Sequence, residues 1–311
     1  VALFVSSFAG LALAAALAAA EPTTAPAPMT AGSLPAAYWA REPVWATFRD
    51  TRLVNVESVE TLRAGYLDFR IEHRFGDAGG PLGDAHTLYG LDLAENIRLA
   101  LAYGVSDAVS AGVGRSRGAA TKSPVHELYD GFVKLRLLRQ TAGGGVPVSA
   151  ALFVSSGLAA QPSAPGADAV AHFPRFDDRL TYTVEPVVAR KVTSRVSLEL
   201  APVYVRRNRP GPERQQDFLA AAAGLQVALT DLWVLLAEYA QPLTRDRKTP
   251  GAAYPFAGAL QIPYRGHVFT LTASNAAGIE ANEWLPYRAG TDWARGQFRL
   301  GFNLSRQFGV R

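Results

Sequence analysis

The segment GQFRLGFNLSRQF, residues 296–308, alternates along its length. Phe298, Leu300, Phe302, Leu304 and Phe308 form one row, interrupted only by Arg306, while Arg299, Gly301, Asn303, Ser305 and Gln307 form the other. Successive side chains of an extended chain point to opposite faces, so this period of two predicts a strand with one oily and one polar face. Two opposite settings satisfy that pattern. A water-soluble sheet buries the oily row, and a sheet standing in lipid exposes it. The rest of the chain decides between them.

The same period recurs upstream. In 66–75, Leu67, Phe69, Ile71 and Phe75 oppose Asp68, Arg70, Glu72 and Arg74. In 97–105, Ile97, Leu99, Leu101 and Tyr103 oppose Arg98, Ala100 and Ala102. In 129–137, Tyr129, Val133, Leu135 and Leu137 oppose Asp130, Lys134 and Arg136. Glu185 and Glu199 take the polar face of 180–188 and 196–204. The stretch FLAAAAGLQVALTDLWVLLAEYA (218–240) is apolar enough to suggest a membrane helix, and its Ala and Leu favour one locally. A helix would carry Gln226, Asp231 and Glu238 into the bilayer at high cost. Split at Thr230-Asp231, it becomes two alternating strands with Glu238 on the polar face.

Twelve such segments follow one another: 65–75, 94–105, 108–117, 129–140, 147–158, 178–191, 195–207, 217–229, 232–241, 256–263, 266–275 and 295–308. Their connections alternate in length. VSDAV, TAGGGVP, VTSR, LTDL and PYRG are short turns, whereas 76–93, 118–128, 159–177, 208–216, 242–255 and 276–294 are long and rich in Gly, Pro and charge. All short turns therefore fall at one end and all long loops at the other. That rule, with an even strand number and segments near ten residues, belongs to outer-membrane barrels. Aromatic residues near strand ends agree with it. The expected fold is all-β: a closed antiparallel transmembrane barrel of about 12 strands. Its enclosed face carries Asp68, Arg70, Glu72, Arg74, Arg98, Lys134, Arg136, Glu185, Glu199, Glu238 and Arg299, while Phe298 to Phe308 face lipid and close on the first strand near Tyr66–Phe75.

Bulk properties fit an exported protein. The 311 residues carry 31 basic and 27 acidic side chains without a basic run, which speaks against nucleic acid as a partner. There is no cysteine, hence no disulfide or thiolate site. VALFVSSFAGLALAAALAAA (1–20) ends in small residues and reads as a cleaved signal peptide, followed by a flexible leader, 21–46, and the barrel, 47–311. Residues 47–64 form either a lead-in strand or a segment folded into the lumen, where Arg52 and Glu57 would constrict it. Pro186 and Pro202 interrupt two strands. Pairing the VTSR hairpin with a constant sum of 388 sets Val192 beside Val196 and Pro186 opposite Pro202, which predicts a bend or bulge there.

TFRDTRLVNVESVETLRAGYLDFRIEHRFGD (47–77), GLDLAENIRLALAYGVSDAVSAGVGRS (90–116), YDGFVKLRLLRQ (129–140), RLTYTVEPVVARKVTSRVSLEL (179–200) and GHVFTLTASNAAGI (266–279), in that order, resemble an uncharacterised bacterial β-barrel family, domain of unknown function 5777. The resemblance covers nearly everything from Thr47 onward. It implies an outer-membrane barrel and supplies no activity or functional residues.

No motif points to catalysis or to a metal. GVGRSRG (112–118) lacks the strand-then-helix context of a phosphate loop and reads as small interior residues. Glu72-His73 face opposite sides of a strand, Asp84 and His86 fall in a loop, and His267 suits a membrane interface. No His-x-Ser occurs to suggest a barrel hydrolase. The function expected is a narrow channel or binding barrel for small polar solutes, without cofactor, in the bacterial outer membrane. The alternatives are a sealed barrel that holds a periplasmic or surface protein, and, third, a membrane-embedded hydrolase. Purified protein in planar bilayers is expected to conduct, and Arg136→Glu to shift its ion preference; silence at every voltage removes the channel reading.

Overall fold

A computed structural model describes residues 42–79, 83–119, 125–166, 169–209, 215–244, 254–286 and 297–310. The signal peptide and nearly all of the leader expected from the sequence lie outside the described residues. Twelve strands close into one antiparallel barrel. They are β1 (Tyr66–Asp77), β2 (Ala94–Ser106), β3 (Val109–Gly118), β4 (Glu127–Leu138), β5 (Ser149–Ala159) and β6 (Leu180–Lys191). The second half is β7 (Val196–Arg207), β8 (Asp217–Ala228), β9 (Val234–Pro242), β10 (Phe256–Tyr264), β11 (His267–Ser274) and β12 (Arg299–Gly309). Every strand pairs with its neighbours in sequence, and β12 closes on β1 from Tyr66↔Gly309 to Arg74↔Gly301. The alanine-rich 218–240 stretch forms β8 and β9, because each finds a partner on both edges there.

The outer surface is oily. Leu200 is 65 % exposed and Val113 62 %, values that in water would be a liability and in hydrocarbon are the driving contact. The inner surface is the reverse, with charged side chains packed to near-complete burial among Ala, Gly and Ser. Gly114 shows why small residues alternate with large ones: a Cβ there would stand 2.5 Å from the Arg98 guanidinium and 2.6 Å from the Asp130 carboxylate.

The proline pair sits as its register requires. β6 and β7 keep the 388 sum on both sides of it, from Thr181↔Arg207 to Val184↔Tyr204 and again from Val188↔Leu200 to Lys191↔Ser197. Between them the ladder has no pairs. Val192 N–H donates to Val196 O at 2.8 Å, so hydrogen-bonded pairs fall on alternate positions, 190/198, 188/200 and 186/202. Pro186 and Pro202 thus occupy one hydrogen-bonded site and remove both of its donors. The ladder is thus broken where a bend or bulge was expected, but no bulge forms, because a symmetric loss on both strands requires no extra residue on either. Pairing of β6 with β5 and of β7 with β8 runs on undisturbed, Leu152↔Pro186 and Pro202↔Ala221 included.

Replacing both prolines with valine returns two donors to carbonyls that have no water to turn to. Each bond is worth about 1 kcal/mol or more, against about 0.4–1 kcal/mol of unfolded-chain entropy per proline lost. The expected result is a higher urea midpoint for P186V/P202V in lipid vesicles than for the parent; an unchanged or lower midpoint would mean that those carbonyls are already satisfied.

Candidate functional site

The lumen is occupied from both ends by the chain itself. At the short-turn end Pro43 bridges Thr141, and Val44 N–H donates to Gln140 O at 2.7 Å. Ala46, with φ 53°, turns the chain into the barrel. Thr47 O accepts from Ser197 Oγ at 2.6 Å, and Arg49 N–H donates to Gln226 Oε1 at 3.1 Å. Residues 51–58 then double back as a small hairpin, with Leu53 N–H on Val56 O at 2.9 Å and Ser58 N–H on Thr51 O at 3.0 Å. The returning limb is fastened at the short-turn end by Leu62 N–H to Ser110 Oγ (2.8 Å) and Thr61 Oγ1 to Asp107 O (2.7 Å), and β1 begins. Residues 47–62 are therefore packed inside the wall, with Leu53, Val54, Val56 and Val59 all buried, while Arg63 and Ala64 are exposed at the mouth.

Wall side chains grip the hairpin. At its tip, Glu238 accepts from Val54 N–H (3.1 Å), Asn55 N–H (2.9 Å) and Val56 N–H (3.2 Å), so successive turn amides form a nest for its carboxylate. Arg74 donates to Asn303 Oδ1 at 2.7 Å and reaches Val54 O and Asn55 Oδ1 at 3.2 Å each. Arg70 pairs with Asp50 at 2.6 Å and Asp68 at 3.1 Å, and Lys134 with Glu57 at 2.6 Å. Burial pushes the Glu57 carboxyl up, but Lys134 and Arg52 outweigh it and hold it below the ordinary range. Glu185 accepts from Glu57 N–H at 2.9 Å.

A second segment enters from the long-loop end. Residues 275–285 follow β11 inward and include one helical turn, α1 (Ala281–Trp284). It is held by Arg299 on Asn275 O (3.0 Å), Asn282 on Thr181 Oγ1 (2.8 Å) and Asn96 on Glu283 Oε1 (3.1 Å). The two segments meet in mid-lumen at Arg52, which pairs with Glu280 at 2.5 Å and donates to Ile279 O at 2.9 Å. The wall completes the junction: Glu72 lies 3.3 Å from Arg52 and 3.0 Å from Arg98, and Arg98 also contacts Asp130 (2.7 Å) and Glu280 (3.0 Å). A cavity of about 30 Å³ beside Thr51, Glu57, Arg70 and Lys134 has room for about two waters.

Asp68, Arg70, Glu72, Arg74, Arg98, Lys134, Glu185, Glu199, Glu238 and Arg299 are buried on the enclosed face. Arg299 pairs with Asp77 at 3.1 Å, near the long-loop end. Arg136 sits at the short-turn rim, partly exposed, and donates to Asp107 O. Glu199 is buried with no hydrogen-bond partner on either carboxylate oxygen. Three participants fall outside the alternating wall pattern. Asp50 and Asn55 lie on the hairpin and Glu280 in a long loop, where side-chain period carries no signal. The odd polar residues of TFRDTRLVNVESV were the only hint of the hairpin.

A family model described as a membrane-bound beta barrel domain, DUF5777, matches residues 48–308. No curated protein matches the chain in sequence. Among solved structures it is similar to the COG4313 outer membrane channel from Pseudomonas putida F1, at 11 % identity and TM-score 0.47, covering 80 % of this chain and 98 % of that one. It is also similar to the KdgM porin, at 8 % identity and TM-score 0.42, with 79 % and 99 % covered. A third is the translocator domain of the autotransporter NalP from Neisseria meningitidis, at 11 % identity and TM-score 0.41, with 79 % and 88 % covered. Similarity this low says nothing of solute or activity.

Removing one partner of a buried ion pair costs about 3–5 kcal/mol, because the other charge is stranded. Arg52→Ala leaves Glu72 and Glu280 to share Arg98 alone, and cuts the one side chain that ties the hairpin to both, so it should loosen the hairpin while the strand ladder stays intact. The chain has no cysteine, so Val54→Cys, placed at the fully buried tip, is a unique reporter. Maleimide labelling of Cys at 54 is expected to be slow in the parent and at least tenfold faster with Arg52→Ala added. Equal rates would show that Arg52 does not hold the tip.

Proposed function

Because the chain belongs to DUF5777, the family of membrane-bound beta barrel domains, we propose that it is an outer-membrane channel for small polar solutes, shut in the state described by its own hairpin. The short turns then face the periplasm and the long loops the exterior. One observation carries this reading: the wall is complete without the segments that fill it. Every strand is paired on both edges by other strands, so the hairpin contributes nothing to barrel closure.

Both ends of the hairpin are fixed at the short-turn mouth, by Thr47 and by Leu62, so it has a direction in which to withdraw. Its grip on the β1–β4 side is largely polar, and water or a polar solute can take over each hydrogen bond as it leaves. The β1–β4 wall retains Arg70–Asp68, Arg98–Glu72 and Arg98–Asp130 after withdrawal, so it keeps its order. A lumen of twelve strands is wider than the filled eight-stranded kind and far narrower than a large porin. That width, lined by charge, suits small polar solutes.

A second reading has its own support. Phe48, Leu53, Val56, Trp284 and Leu285 pack as a dry core against the small residues of β6–β8, among them Ala201, Val203, Ala220 and Ala222. A permanently sealed barrel, serving as an anchor for a partner protein, would be built in this way. Planar-bilayer recording separates the two. The parent is expected to open rarely and Arg52→Ala to raise open probability at least tenfold. Silence from both, at every voltage, leaves the sealed barrel.

A further inference from the structure

The enclosed charges are not evenly spread around the wall. Arg70, Arg74, Arg98 and Lys134 lie on β1, β2 and β4, intermixed with Asp68, Glu72 and Asp130. The opposite arc, β6 to β9, offers Glu185, Glu199 and Glu238 to the middle of the lumen. Its inward basic residues are Lys191, at the short-turn end of β6, and Arg207, at the long-loop end of β7. Neither Glu238 nor Glu185 is matched by a cation of the hairpin. Backbone amides of residues 54–56 cover one, and the amide of Glu57 covers the other. Glu199 has nothing. It is 3 % exposed, and neither oxygen has a hydrogen-bond donor. Leu53 lies over Gly224 beside it, its Cδ2 standing 2.5 Å from where a Gly224 Cβ would be.

The geometry points to a binding row for organic cations on this arc, made available when the hairpin withdraws; the inference rests on the gated-channel reading for its occupant's route. Glu199 and Glu238 both pair with Gly224, so they stand at one level on either side of a residue with no side chain. Neighbouring strands are about 4.8 Å apart, which sets their Cα atoms about 10 Å apart across an open notch. Withdrawal strips Glu238 and Glu185 of their amide donors and leaves three carboxylates without counter-charge on their own arc. Among the described residues no group of three or more acidic, His or Cys side chains is placed to hold a metal ion. Separated carboxylates suit instead an extended cation whose ammonium groups reach them one at a time, that is, a diamine. Across the lumen Arg70 and Arg98 keep wall carboxylates and Arg74 keeps Asn303, whereas Lys134 gives up Glu57; against these four cations stand Asp68, Glu72 and Asp130 on that side and the three carboxylates on this one, so the open lumen is acidic.

Binding of radiolabelled 1,4-diaminobutane to the detergent-solubilised full chain carrying Arg52→Ala tests this directly, without requiring conduction. Saturable binding is expected, at least tenfold weaker when Glu199→Gln is added, with Glu185→Gln as a second substitution on the same arc. Folding of each variant is checked by heat-modifiable migration in SDS. In bilayers the same Arg52→Ala protein should prefer K⁺ to Cl⁻ and be blocked by the diamine, with block relieved by Glu199→Gln. A protein that conducts but binds no diamine, or binds it equally well after both substitutions, overturns the cation row and leaves the channel standing. Saturable, Glu199-dependent binding by a protein that never conducts supports the row and overturns the channel. Absence of both overturns both.

Discussion

An amide or carbonyl without a partner in hydrocarbon costs several kcal/mol, and no water is there to relieve it. The pairing of β12 with β1 removes that cost for a whole edge at once. It follows that every strand must have two partners, that their number is even when both termini lie at one end, and that successive connections alternate between the two ends. The prolines show how strongly the constraint acts. Two residues unable to donate are placed face to face, so that the damage falls on one hydrogen-bonded site instead of two.

Closure then creates an interior, and the interior poses the opposite problem. A twelve-stranded wall encloses more space than its own side chains fill, and its inward charges need partners. The chain solves this with its own flanking segments. Asp50, Glu57, Arg52 and Glu280 neutralise wall charges that would otherwise face each other across empty space. Buried ion pairs of this kind are weak evidence of stability but strong evidence of register, since a hairpin shifted by one residue would strand every charge. Glu199 is the exception, and its lack of a partner marks the arc where the wall and its filling do not match.

The strands and their faces were legible because alternation is a local property. The row Asp68, Arg70, Glu72, Arg74 needs only its own spacing to be assigned to one face. The 388 sum across the VTSR turn was legible for the same reason, since a short turn and two apolar rows leave few registers. The missing bulge was not, because whether opposed prolines distort a ladder depends on how two strands share the loss. The destination of residues 47–64 was not legible either. TFRDTRLVNVESV has polar and apolar residues in an order that suits a lead-in strand as well as a segment folded into the lumen.

What the sequence by itself determined is the wall: twelve strands, which face meets lipid, which end carries the loops, and which charges point inward. Period, turn chemistry and the cost of burying charge in lipid all act within a few residues of one another, so one dimension suffices. Only the tertiary structure decided what those charges meet. Arg52 and Glu280 are 228 residues apart and meet in mid-lumen. Glu238 holds a turn 183 residues away. Such contacts depend on where closure brings distant segments, and on the space the wall leaves inside, neither of which has any trace in local spacing.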